Sequence, residues 1–248
     1  MRRWKIALGF ILISISLQAQ QDFSSDRPGQ TFSAAVLPKW GLQAQQGLEW
    51  RDFYDRQGED QIVVNQRVLS SNTAIRLGLG NHIEVGLAYQ MNGINNPTFD
   101  DGYRWEGQDP KLMLRFGLPG NGNSFQWAFI VQSSFSNLDY RLSAALNQGP
   151  WSVSGNLGFY HDEFTDYTAQ WTVLLAYSKE YYSVFAEVYG LSLNSANRDY
   201  LAFDAGFSFK LSPRFQWELF AGNQVGVGPA VGLFSNYFVN TGFSWRIR

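Results

Sequence analysis

Ten charged residues have the types and spacing to act together. The acids Glu49, Glu84, Glu187, Asp204 and Glu218 and the bases Arg76, Lys111, Arg115, Arg141 and Arg246 all fall on one parity of short alternating runs. If those runs are strands, alternate side chains share a face, and all ten point to the same side of a sheet. Two chemistries suit such a face. The charges can pair with one another and fill a narrow interior, or they can line a polar path and tune what passes. Equal numbers of each sign argue against strong ion selectivity. Tyr160, Phe185, Tyr189, Phe220 and Phe238 share the parity, and such rings would give a small hydrophobic solute an aromatic-lined route.

Catalysis finds little support. There is no cysteine, which removes thiol chemistry, disulfides and thiolate metal sites. Of the two histidines, His82 falls in a predicted turn. His161 falls on the opposite parity at a strand end, with no serine beside it on that face. The acids Asp100, Asp101 and Asp109, and Asp162, Glu163 and Asp166, gather in two links without the spacing of a known calcium loop. Gln224-Val225-Gly226-Val227-Gly228-Pro229 is glycine-rich, but it does not join a strand to a helix, so it is no phosphate cradle. The expectation is a protein that is not an enzyme and holds no metal or cofactor. A net charge of −2 without a basic patch excludes a nucleic-acid footprint.

The elements that must position these residues are strands. A period of two runs from Trp40 almost to the end, predicting twelve strands near 40–50, 68–79, 83–91, 109–118, 124–134, 138–147, 151–161, 167–178, 181–191, 199–210, 214–223 and 236–247. Strands of about ten residues suit a tilted bilayer crossing. Short turns such as Gly80-Asn81-His82 and Leu211-Ser212-Pro213 alternate with longer links such as Arg51–Arg67, Asn92–Gln108 and Gln224–Ser235. The parity opposite the charges carries Leu48, Ile75, Leu87, Leu114, Phe129, Leu157, Val173, Phe203 and Val239, with Trp40, Trp50, Trp151, Trp171 and Trp245 towards strand ends. Only Asp199 breaks it, at a strand end. Lipid explains this arrangement, since Trp and Tyr favour the headgroup level. A soluble sandwich would also alternate. Composition agrees with lipid: 17% of residues are aromatic, and only 16% are charged against about 25% in ordinary domains. The fold class is therefore all-β: a transmembrane, antiparallel, up-and-down barrel of about twelve strands.

The N-terminus reads as a signal peptide over residues 1–19, with basic Arg2, Arg3 and Lys5 before an apolar run from Ile6 to Leu17. A leader over 20–39 and a barrel over 40–248 follow. Asp26-Arg27-Pro28-Gly29-Gln30-Thr31 and Leu37-Pro38-Lys39-Trp40-Gly41 resemble the opening of a family of bacterial outer-membrane transporters associated with the phenol-degradation meta-pathway. Asn156-Leu157-Gly158, Phe185 to Gly190, Asp204-Ala205-Gly206, Leu211-Ser212-Pro213 and Glu218 to Gly222 are similar to motifs further along it. The resemblance covers most of the mature chain. It implies an outer-membrane barrel with a transport role, in which the Asp26–Arg27 pair and Pro28 could form a plug at the periplasmic mouth. A mobile tail is the alternative.

These readings predict passive uptake of a small, hydrophobic or aromatic solute across the outer membrane of a Gram-negative bacterium. A non-conducting barrel with a salt-bridged lumen is the alternative, and a lipid-modifying enzyme stands third. Expected partners are outer-membrane lipids, lipopolysaccharide, the barrel-insertion machinery and the solute, with no nucleic acid. The basic Arg248 departs from the aromatic ending that the insertion machinery reads in many barrels.

Overall fold

The computed structural model describes residues 31–57, 61–95, 102–118, 124–135, 137–162, 168–193, 199–227 and 235–247. The expected signal peptide and Asp26, Arg27 and Pro28 lie outside them. The described residues form thirteen strands and no helix: β1 Leu42–Gln57, β2 Gln61–Gly78, β3 Ile83–Asn95, β4 Arg104–Gly107, β5 Lys111–Gly117, β6 Phe125–Ser133, β7 Asn137–Gln148, β8 Trp151–Asp162, β9 Thr168–Ser178, β10 Tyr182–Leu193, β11 Asp199–Ser212, β12 Phe215–Val227 and β13 Ser235–Arg246.

Each strand pairs antiparallel with its neighbours, and β1 pairs with β13, so the sheet closes. The short β4 lies on the outer part of β3 and β5 on its inner part. Together they fill one place in the wall, leaving the twelve places expected. Closure removes sheet edges and satisfies the backbone internally, as lipid demands.

The barrel reverses the polarity of a soluble protein. Leu157, Leu87, Val173, Phe203 and Val239 are about half exposed on the outer face, while Arg76, Glu84 and Arg115 are fully buried within. Only a hydrocarbon surround makes that pattern favourable. Aromatic side chains cluster at the end holding the short turns. Trp151 meets Tyr177 edge-on at 4.9 Å, Phe215 stacks on Phe243 at 5.6 Å, and Trp217 lies parallel to Phe209 at 6.3 Å. These rings form one girdle, and Trp50, Trp105 and Tyr237 stand at the other end.

Four expectations need correction. Residues 51–67 are largely strand rather than a long link: β1 and β2 continue as a hairpin, with a bulge at Phe53/Tyr54. The residues there keep pairing backbone to backbone, so strand length is set by the partner and not by membrane thickness. The predicted link 92–108 contains β4 and the outer part of β3, for the same reason. β12 runs through Gln224 to Val227, into the glycine-rich stretch expected to be loop. Finally, Trp40 precedes the first strand. It sits in a turn closed by Gly41 N–H donating to Pro38 O at 2.7 Å, with φ at +64°. That conformation is rare for a bulky residue. The turn is held by Trp40 N–H on Gly78 O at 2.7 Å, and the ring faces outward with Lys39 Nζ 5.8 Å from its centre.

Candidate functional site: the lumen and its leader

The inward faces carry two unlike walls. On β10–β13, Phe185, Tyr189, Phe220 and Phe238 form a buried cluster with Ala202. Phe220 meets Phe185 at 6.0 Å and Phe238 at 6.3 Å, both edge-on. Inward glycines make this possible. A Cβ on Gly206 would strike Phe220, and one on Gly222 would strike both the Phe238 ring and Asp204. Three predicted acids are set among these rings. Glu187 and Asp204 stand directly opposite each other on β10 and β11, and Glu218 follows on β12.

The other wall, on β2–β7, is basic. Glu84 accepts from Arg76 Nε at 2.6 Å, Arg76 Nη2 at 2.9 Å and Arg115 Nη1 at 3.1 Å, with all three side chains fully buried. Arg141 is held by Asp139, which also accepts from Gln170 at 2.8 Å. Glu49 is held by Arg51 at 2.8 Å and by Asn240 at 3.2 Å. Lys111 stands on the same wall, half-buried. Arg246 ends β13 opposite Gln43, near the inner mouth. Tyr160 is half-buried opposite Asp139. The ten predicted charges and the five predicted aromatics therefore share the interior, but they do not form one site. Arg76 and Arg115 pair with Glu84, and Arg141 with Asp139, all on the β2–β7 side.

Into this interior runs the leader. Thr31 is hydrogen-bonded to Thr172 at 2.6 Å and to Glu187. Phe32 N–H donates to Asn156 Oδ1 at 2.6 Å, and its carbonyl accepts from Asn156 at 3.0 Å and Ser143 at 2.7 Å. The Arg141 guanidinium lies 4.4 Å from the Phe32 ring centre. Ala35 O accepts from Arg115 at 3.2 Å, and Leu37 N–H donates to Glu84 at 2.9 Å. The segment thus passes along the inside of the wall from β10 to β3, latched at most of the strands it crosses. At the end it lies on Gly78, where any Cβ would meet the carbonyl oxygens of Pro38 and Leu37. Sequence reasoning placed a plug at Asp26 and Arg27. The latch that the described residues show begins at Thr31.

Several lumen residues gave no such signal in the sequence. Arg51 falls in a predicted link, and Asp139 sits near the start of its strand. Ser143 and Thr172 look like ordinary polar positions of a strand, and Asn156 carries only the motif resemblance of Asn156-Leu157-Gly158. His161 is exposed on the outer face at the end of β8, opposite Leu138, and His82 lies in the β2–β3 turn. Among the described residues no group of metal-ligating side chains converges.

A cavity of about 250 Å³ opens between the two walls, lined among others by Glu49, Asp204, Lys111, Tyr189, Phe220 and Phe238.

No protein-family model matches the chain, and no curated protein sequence matches it. Solved structures do. The COG4313 outer membrane channel from Pseudomonas putida F1 superposes with a TM-score of 0.65 at 12% identity, covering 89% of this chain and 99% of that one. The NanC porin gives 0.53 at 10% identity, over 81% of this chain and all of the porin. The beta domain of the Bordetella autotransporter BrkA gives 0.54 at 9%, over 84% of this chain and all of the domain. At these identities the likeness is one of fold, that of outer-membrane β-barrels. A channel, a porin and an autotransporter domain share it, so function has to be argued from the interior.

Proposed function

We propose that this chain is an outer-membrane channel for passive movement of a small, hydrophobic or aromatic solute, with its leader as an obstruction at the inner mouth. The observation that carries this reading is the lumen cavity bordered by Tyr189, Phe220 and Phe238 of the aromatic cluster on β10, β12 and β13. A barrel of purely structural use gains nothing from rings that border open space in a polar interior. The apolar exterior and the outer-membrane barrel fold support residence in the outer membrane of a Gram-negative bacterium. In that setting its partners would be the membrane's lipids and lipopolysaccharide and the barrel-insertion machinery.

A second reading has its own support. Arg76, Glu84 and Arg115 are fully buried together with Leu37, so the inner end is filled as a non-conducting barrel would be. The two readings differ in what happens when the leader moves. Gly78→Val is expected to force Leu37 and Pro38 off β2, because the added carbons would occupy the place of their carbonyl oxygens. Liposomes carrying this variant should swell several times faster in small aromatic solutes than liposomes carrying the parent. A leader shown by proteolysis to be displaced, with swelling unchanged, would favour the closed barrel.

A further inference from the structure

Lys111 is set apart from the other bases of its wall. Arg76 and Arg115 are held by Glu84, and Arg141 by Asp139. Among the described residues the Lys111 ammonium makes no hydrogen bond and no ion pair. The charges that act on it are Asp139 and Arg141, and these two already hold each other. Lys111 is half-buried and lines the lumen cavity. An ammonium partly withdrawn from water is stabilised by an anion that can reach it. Gln132 lines the cavity from the adjacent β6, opposite Met113. Its side-chain amide also makes no hydrogen bond among the described residues, so a second N–H donor stands near the cation.

The far side of the cavity is apolar. Tyr189, Phe220 and Phe238 line it from β10, β12 and β13. The size suits an aromatic body, since a cavity of about 150 Å³ accepts a benzene ring and this one measures about 250 Å³. The acids that share the cavity set an orientation. Asp204 lies on the ring side, hydrogen-bonded to Glu187, and Glu49 is held by Arg51 and Asn240. Both repel an anion placed on that side, so the charged end of a ligand is directed towards β5 and its ring towards β10–β13. Asp109 lines the cavity on the β5 side and has a partner of its own.

We propose that the cavity is a subsite for a small aromatic carboxylate, its carboxylate on Lys111 and Gln132 and its ring against Tyr189 and Phe220. This rests on the channel reading for its physiological meaning and narrows the solute to a class.

The test is calorimetric titration of the refolded full chain, in a nonionic detergent, with benzoate, benzyl alcohol and benzylamine, for the parent and for Lys111→Gln. Benzoate is expected to bind the parent best and to lose roughly tenfold or more in affinity in the variant, the scale of a lost charge-assisted hydrogen bond. Benzyl alcohol or benzylamine binding the parent as tightly as benzoate overturns the proposal. So does benzoate binding that survives Lys111→Gln, or the absence of benzoate binding. The comparison of the three ligands needs no variant and stands even if Lys111→Gln does not fold. Binding is read without transport, so a barrel that binds benzoate and does not conduct would refute the channel and leave the subsite.

Discussion

Glu84→Ala is expected to lower the stability of the refolded barrel by about 3–5 kcal/mol, the cost of removing one member of a buried ion-pair set. The variant removes the carboxylate that two fully buried guanidinium groups, Arg76 and Arg115, share. It also frees Leu37 N–H, which that carboxylate accepts. Denaturant midpoints measured after folding into lipid would read the loss. Replacing Arg76, Glu84 and Arg115 together with apolar residues of similar volume should cost far less, because no charge is then left without its partner. A triple variant as unstable as Glu84→Ala would show that the latch to the leader, and not the stranded charge, carries the cost.

Leu157→Arg is the second large effect. Leu157 lies midway along β8, 59% exposed, between Leu142 and Trp171 on the outer face. An arginine at that depth should cost about 2–4 kcal/mol, falling to about 0–1 kcal/mol near the interface. His161→Arg, on the same strand and face but at its outer end, is the matched control. Equal costs at the two positions would mean that the outer face is not in hydrocarbon.

Lipid tolerates few charges, so the parity of most strands is legible from where charges are missing, and that of the uncharged strands from where the large apolar side chains fall. Leu157 outward and Asn156 inward follow from the apolar alternation of Trp151, Val153, Leu157 and Phe159. Pairing inside the barrel obeys no such rule. Glu84 meets Arg115 because β3 and β5 register Glu84 opposite Arg115, and register depends on turns and stagger that parity does not encode. Asp204 belongs to the same face, yet its registered partners are Glu187 and Gly222, so it gains no base. The leader is harder still. Its course is set by single side chains, Ser143, Asn156 and Thr172, and by the missing Cβ of Gly78, none of which stands out from ordinary strand composition. Trp40 misled because it continues the alternation of β1 while its backbone has already turned.

The account rests on the leader obstructing a lumen that otherwise conducts. Single-channel recording of the refolded mature chain, beside the same chain lacking Gln20 to Pro38, tests this most directly. The account predicts small or intermittent currents from the intact chain and larger, steady currents once the leader is gone. Identical conductance in the two forms, or silence in both, would contradict it.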